Sequence, residues 1–552
     1  MESKRDVASM DWRLIGAMIG VIGLGRAALG LQQYPYGDDM VYGPLARLAA
    51  DPTLYANDEQ LRSFENHAWV YGLIWRAAEA TVGVVAAHLV LTVGLTVLIG
   101  LTMLWIARAV GASGWFAPLG FVLAHVVTLG GVGRGAYGGA VGQHFHLQSL
   151  AIALSLLAFL AVLRQRWVWA GAALGAAALS HPVLAFHAAF AVSCLLLGQG
   201  RSGFRPLVIV AGVSIIVAAP LLVTLLGVGF SSEMDAERVI RDGYRWRVDN
   251  HYRLPASEYL IFALYAALGL FAALRLRMGA GAIIGLSLLG VLSWVFYSGG
   301  LGFEYVSILP YKLDLTRSSP LLWVLATALA AAAAEDAWRR RDMASLTILG
   351  AIAALILALN FLWSVYALAA LAAAALAATR LTDRRFVATG LATLGAVAVI
   401  IAVAAIQNPL DRDARMRGFY EWARDDTPKD AMFIAPPFIA DIRELARRPV
   451  WVDFRAVSMA QVGQIMLSRA RHETITPGHE RLPGIGGWRG ARLWTQAYSD
   501  NHDAQSIAEV LRRTGADYLV IYQPETPYET AGAGLKIAYA DEHAVVLELR
   551  EP

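Results

Sequence analysis

No intrachain disulfide is open to this chain, because its 552 residues include a single cysteine, Cys194. Any loop exposed outside the cytoplasm must therefore be held by packing and polar contacts. Charge is scarce as well. Asp, Glu, Lys and Arg make up 16% of the residues, against about 25% in an ordinary soluble domain. There is no internal repeat, no heptad pattern and no low-complexity linker. These absences exclude solenoids and coiled coils. A phosphate-cradling glycine loop is also missing. Gly484-Ile485-Gly486-Gly487 follows Pro483 and lacks the strand–turn–helix setting that a dinucleotide site needs. No nucleic-acid partner is expected.

What is abundant is apolar sequence. Hydrophobic residues reach 57% and the mean hydropathy is +0.50, which places the chain among polytopic membrane proteins. Apolar runs predict spans near 13–31, 82–107, 114–130, 147–163, 167–180, 182–199, 206–229, 258–274, 279–297, 318–334, 344–361, 363–378 and 386–406, about thirteen in all. The first follows Lys4 and Arg5 and reads as an uncleaved signal-anchor. With the N-terminus inside, alternate loops carry Arg108; Arg164 and Arg166; Arg201 and Arg205; Arg275 and Arg277; Arg339 to Arg341; and Arg380, Arg384 and Arg385. That is the positive-inside pattern. The odd count puts the tail outside a bacterial inner (cytoplasmic) membrane. The Ala-rich segment 325–334 suits close helix packing.

The expected outer loops, 32–81, 131–146, 231–257 and 298–317, concentrate the polar chemistry on one face. The first holds Gly37-Asp38-Asp39-Met40-Val41-Tyr42 and a second polar cluster from Asn57-Asp58-Glu59 to Glu65-Asn66-His67. The next ends Gly142-Gln143-His144-Phe145-His146. The third interleaves five acids with five arginines. The fourth runs from Phe303-Glu304-Tyr305 to Lys312 and Arg317. Adjacent carboxylates beside a span point to function or to a solvated turn or helix cap. His144, His146, His181 and Glu304 read as lining a polar cavity, binding substrate, or holding a metal. The abundant Trp and Tyr near span ends read as an interfacial belt.

The tail, 407–552, is richer in charge. Ala431 to Ala435, Val450 to Phe454, Asp517 to Gln523 and 536–549 read as strands, and 438–447, 458–470 and 503–514 as amphipathic helices. The expectation is a mainly α transmembrane domain over 1–406 followed by an extracytoplasmic α/β domain over 407–552.

This layout resembles the GT-C superfamily of membrane glycosyltransferases. The features that carry the resemblance are Gly37-Asp38-Asp39-Met40-Val41-Tyr42 in the first outer loop, the many spans and the outer C-terminal domain. Ala50-Asp51-Pro52-Thr53-Leu54-Tyr55-Ala56-Asn57-Asp58, Ala435-Pro436-Pro437 and Val450-Trp451-Val452-Asp453-Phe454-Arg455 look more narrowly similar to a bacterial GT-C-like group. The resemblance implies transfer of a sugar from a polyprenyl-phosphate donor to an envelope glycan, lipid or protein. It implies Asp38 or Asp39 as the base, with the other available to hold the acceptor or a metal. A divalent ion, magnesium or manganese, is the candidate cofactor. Arg317 and Lys312 are the candidates for the donor phosphate, since a guanidinium matches phosphate bidentately; snorkelling to headgroups is the alternative for Arg317. A non-catalytic scaffold or lipid-glycan binder of the same fold is the second reading. A transporter is the third, since transporters place charge at mid-membrane and often carry inverted repeats.

The arginine pattern gives a direct test. A reporter fused after Pro552 should be active only in the extracytoplasmic compartment; cytoplasmic activity would invert the topology.

Overall fold

The computed structural model describes residues 15–16, 19–20, 22–27, 39–62, 69–112, 116–118, 120–121, 124, 145, 147–228, 246, 256–297, 318–359, 416–437, 441–454, 462–482, 487–522 and 533–550. The expected spans near 363–378 and 386–406 lie outside them.

The described part of loop one is largely helical. It contains α1 (Asp39–Leu48), α2 (Glu59–Arg62) and α3 (Trp69–Val82). Gly83, at φ 78°, separates α3 from α4, a conformation in which a glycine carries no Cβ penalty. The bundle continues as α4 (Val84–Ala109), α5 (Leu147–Leu163), α6 (Trp167–Ser180), α7 (Pro182–Leu197), α8 (Arg201–Val228), α9 (Ala256–Arg275), α10 (Ala280–Tyr297), α11 (Ser318–Arg339) and α12 (Met343–Leu359). These helices fall on the apolar runs of the sequence. Three of them, over Ala86–Ala109, Arg201–Val223 and Ser318–Arg339, are long and apolar enough to cross a membrane by length and composition.

Close approach of backbones holds the bundle together. Apolar side chains gain little by leaving lipid for protein, so small residues that allow tight contact carry the packing. A Cβ added at Gly171 of α6 would lie 2.7 Å from the Val210 carbonyl of α8, and one at Gly175 would lie 2.6 Å from Val217. Ser214 Oγ donates to the Gly171 carbonyl across that seam, at 3.0 Å. On α10, a Cβ at Gly281 would overlap the Cys194 carbonyl of α7 and stand 2.8 Å from Gly198 Cα. The Ala-rich helix α11 is the centre of the bundle, buried along most of its length. Trp323 of α11 stacks on Tyr265 of α9, with ring centroids 4.3 Å apart, and its indole N–H donates to the Ala124 carbonyl. By contrast α8 leaves Phe204, Ile215, Ile216 and Val223 exposed, a surface suited to lipid.

Helix directions follow from shared levels. Ile106, Leu163, Leu195 and Ala282 line one apolar cavity. The C-terminal ends of α4, α5 and α7 therefore lie level with the start of α10. Arg275 of α9 pairs with Asp336 of α11 at 3.3 Å and with Asp342 at 3.0 Å. Arg108, Arg164, Arg275 and Arg339 thus gather at one end of the bundle.

The tail carries a four-stranded sheet in the order β1 (Phe433–Ile434), β2 (Tyr518–Tyr522), β4 (Ala544–Leu549), β3 (Leu535–Ala540). The β1–β2 pair is parallel and the other two are antiparallel. Strand alternation divides the core. Leu519 and Ile521 pack with Ile475, Tyr498, Ile507 and Leu511 on one face. Val520 packs with Phe419, Phe433 and Ile442 on the other. The flanking helices are α13 (Arg417–Asp425), α14 (Val462–Ile475), α15 (Gly487–Asn501) and α16 (Ala504–Thr514). Asp503 caps α16 in a capping box with Ser506, and Gly515 closes it at φ 67°.

Three expectations change here. The 536–549 run is a hairpin, turned where the Asp541 carboxylate accepts from the His543 and Ala544 N–H groups at 2.8 and 2.7 Å. Over 438–447 the described backbone forms a π-helical turn, Ile442–Ala446, stopped by Arg447 at φ 55°. Val450 to Phe454 makes one isolated bridge, Val450 to Phe433, rather than a strand. Helix α15 adds to the elements read from the sequence, although its buried Ala491, Trp494 and Tyr498 recur at helical spacing.

The Gly281 contact predicts a stability difference. Gly281→Ala should destabilise the detergent-solubilised protein by about 1–3 kcal/mol through overpacking. Gly212→Ala, where a Cβ meets nothing within 4 Å, should be close to neutral. Thermal denaturation of the two variants side by side checks this.

Candidate functional site beneath the tail

Loop one passes under the tail and is gripped there by a buried arginine. Arg443 and its partners Asp58 and Asp453 have fully buried side chains. Arg443 Nε donates to Asp58 Oδ2 at 2.6 Å and Nη2 to Asp58 Oδ1 at 2.9 Å, a bidentate fork. Nη1 donates to Asp453 Oδ2 at 2.9 Å. Nη2 also reaches Gln60 Oε1 and the Val450 carbonyl. Burial opposes the charge on Arg443, but the neighbouring Asp58 and Asp453 outweigh it, so its pKa is held above the ordinary value.

The same loop-one residues explain the missing strand. Val450 N–H donates to Asp58 Oδ2 at 3.1 Å, and Asp453 N–H donates to Gln60 Oε1 at 2.8 Å. Gln60 Nε2 returns a bond to the Asp453 carbonyl at 2.7 Å. Side chains of loop one thus satisfy the backbone groups that a neighbouring strand would otherwise take. Tyr55, fully buried, donates its hydroxyl to the Arg443 carbonyl at 2.6 Å, and burial pushes its pKa up. Arg471 of α14 pairs with Glu59 and lies 4.8 Å above the Trp451 ring.

A second arginine joins α1 to both neighbours. Arg47 Nη1 and Nη2 donate to Glu444 Oε2 and Oε1 at 2.8 and 2.7 Å, and Nε donates to Glu79 of α3 at 3.0 Å. From the expected third outer loop, Trp246 enters the tail. Its ring is buried edge-on against Phe454, His472 and Trp494, at 5.2, 5.3 and 6.2 Å.

The candidates from the sequence are placed unevenly. Asp39 is the first residue of α1. Asp38, His144, His146, Glu304, Lys312 and Arg317 lie outside the described residues, and so does the expected cavity joining them. His144 and His146 flank Phe145, which is buried, and α5 starts at Leu147; Arg317 precedes the buried start of α11. His181 sits between α6 and α7, and its Nδ1 accepts from Leu184 N–H at 3.3 Å. A neutral ring there carries its proton on Nε2. Among the described residues no group of three or more His, Cys, Asp or Glu side chains is placed to hold a metal.

Sequence reasoning passed over two buried ionisable residues. Arg26 and His88 are each 1% exposed. A Cβ on Gly23 would meet Val93 and Thr96, and one on Gly100 would meet Ile19. The first helical segment is therefore antiparallel to α4. Arg26 and His88 both lie toward the tail-side end of the bundle, opposite the arginine-rich end. Their signal was a charged residue inside an apolar run, which marks a functional candidate.

Comparison with known proteins follows the same division. Residues 414–465 match the family model described as Domain of unknown function (DUF6798), and that segment contains Arg443, Glu444 and Asp453. No curated protein matches the sequence. In fold the chain is similar to the crystal structure of ArnT from Cupriavidus metallidurans bound to undecaprenyl phosphate. The identity is 15% and the TM-score 0.50, covering 98% of this chain and 99% of that one. It is also similar to the cryo-EM structure of the arabinofuranosyltransferase AftD from Mycobacteria. There the identity is 13% and the TM-score 0.52, over 99% of this chain and 40% of that one. The fold is GT-C-like.

The buried fork predicts a large stability effect. Arg443→Ala should cost about 3–5 kcal/mol, because it leaves buried carboxylates uncompensated. Arg443→Lys should also destabilise, since one ammonium does not replace a fork. Limited proteolysis of the tail in wild type and both variants reads this out; equal cleavage rates would contradict it.

Proposed function

We propose that this chain is a GT-C-type glycosyltransferase of a bacterial cytoplasmic membrane, with about thirteen spans, a cytoplasmic N-terminus and the tail outside. It moves a sugar from a polyprenyl-phosphate carrier to an envelope glycan, lipid or protein acceptor. The observation that carries the reading is a GT-C-like fold extending over nearly the whole chain. Support comes from loop one, where a helix starts at Asp39 and the following segment is gripped by the tail. The ArnT structure contains undecaprenyl phosphate, which favours a polyprenyl phosphate as the lipid partner.

In the proposed reaction the acceptor hydroxyl oxygen attacks the anomeric carbon of the donor sugar. The bond from that carbon to the phosphate oxygen breaks, and its electron pair stays on the polyprenyl phosphate. The hydroxyl proton passes to Asp38 or Asp39, which must lie within hydrogen-bond reach. Arg317 and Lys312 are assigned to the phosphate, where guanidinium and ammonium charge offsets the charge that develops on leaving. Arg26, buried toward the tail-side end of the bundle, is assigned as a further source of positive charge for the same site. His144, His146, His181 and Glu304 are assigned to the walls of the cavity. The Asp that is not the base would hold the acceptor or a magnesium or manganese ion, whose charge would offset that of the phosphate.

The test is transfer from polyprenyl-phosphate sugars in reconstituted membranes. Asp38→Asn or Asp39→Asn should lower the rate about 10²–10⁴-fold, the usual cost of losing a base. Arg317→Lys should impair transfer while leaving the protein folded. Wild-type rates in both Asn variants would remove the base assignment. Failure of the wild type with every donor would favour a scaffold.

A further inference from the structure

The helix that begins at Asp39 presents residues 39, 43 and 47 at intervals of four, on one face. The second of these is glycine, and its missing side chain is used. A Cβ on Gly43 would overlap Glu444 Oε2 and stand 2.9 Å from Glu444 Cδ. The tail carboxylate is thus seated against the surface of α1, one turn from Asp39. Arg47, one turn further on, takes both carboxylate oxygens at 2.8 and 2.7 Å, and its Nη1 also donates to the Glu444 carbonyl at 3.2 Å. Its Nε holds Glu79 at 3.0 Å. Glu444 itself is held in the π-helical turn Ile442–Ala446, whose Arg443 carbonyl accepts from Tyr55.

A fork bonded at both oxygens resists rotation of α1 about its axis, which a single contact does not. The glycine contact fixes depth in the same way, since nothing larger fits between α1 and the carboxylate. We infer that Glu444 is a positioning residue: the tail, through Glu444, sets the rotation and depth of α1 and so of the backbone at Asp39, where the helix begins. This rests on the glycosyltransfer reading for its catalytic consequence, though not for its structural one. Displacement of a reacting group by about 1 Å is enough to cost about 10²-fold in rate.

The experiment uses the full-length protein in nanodiscs, with two readouts. The first is donor-dependent transfer from a polyprenyl-phosphate sugar, separated into kcat and donor KM. The second is hydrogen exchange over residues 39–48, which reports local opening of α1. Gly43→Ala and Glu444→Gln should each lower kcat about 10²-fold with donor KM unchanged, and should speed exchange over 39–48. Glu444→Asp withdraws the carboxylate by one methylene, so combining it with Gly43→Ala should restore much of the lost kcat and protection. A general loss of folding would not be rescued by that pairing. If wild type transfers and the two single variants match it in kcat, the inference is overturned while the enzymatic reading stands. If wild type transfers with no donor, the enzymatic reading fails. Exchange then decides the inference: faster exchange in Glu444→Gln sustains it, and unchanged exchange overturns it.

Discussion

Three buried charges, Arg443 between Asp58 and Asp453, tie the two ends of the chain into one structure. Removing ions from water costs several kcal/mol each, and their mutual attraction repays this only with good geometry and saturated hydrogen bonding. Here the fork on Asp58 is bidentate, Nη1 donates to Asp453, and Nη2 also reaches Gln60 and the Val450 carbonyl. Such a cluster adds little net stability over a well-packed apolar equivalent. It does forbid alternatives, because any shift in register strands a buried charge. The seating of loop one under the tail follows from that constraint, and so does the irregular backbone of 450–454.

The bundle solves its packing by the opposite means. In lipid, neither charge nor apolar contact distinguishes one helix pairing from another strongly, so shape does. Gly171 and Gly175 admit α8, Gly281 admits α7, and the alanines of α11 admit its neighbours. The two regimes meet at α1 and α3, where Arg47 links a helix leading into the bundle to a carboxylate from the tail.

Much of this was legible in the sequence, for physical reasons. Long apolar runs have few alternatives to helices in a bilayer, and the helices described lie on them. The polar run Asn57-Asp58-Glu59 was noticeable, as was Val450 to Phe454. What joins them was not legible, because Asp58 and Arg443 are 385 residues apart and no local pattern encodes such a pairing. Strand propensity over 450–454 was real but was overridden when Asp58 and Gln60 took the Val450 and Asp453 N–H groups. The π-helical turn was hidden because a helical periodicity does not announce one extra residue per turn. Of the proposed catalytic set, the sequence could nominate Asp38, Asp39 and Arg317 by type and position. Arg26 and His88 carried a signal of their own, an ionisable residue inside an apolar run, but no polar neighbours to form a motif with.

The separation of Asp58 from Arg443 also imposes an order in time. A ribosome adds about 5–20 residues each second. Over the 385 residues between the two partners, Asp58 therefore exists for roughly 20–80 seconds before Arg443 is made. During that interval the carboxylate has no tail to enter and must stay hydrated. The emerging chain thus carries an open first loop until the segment around Arg443 docks on it. A chain arrested before Arg443 and Arg471 are made would leave Asp58 and Glu59 unclaimed, a chemical sign of incompleteness that vanishes when those arginines dock.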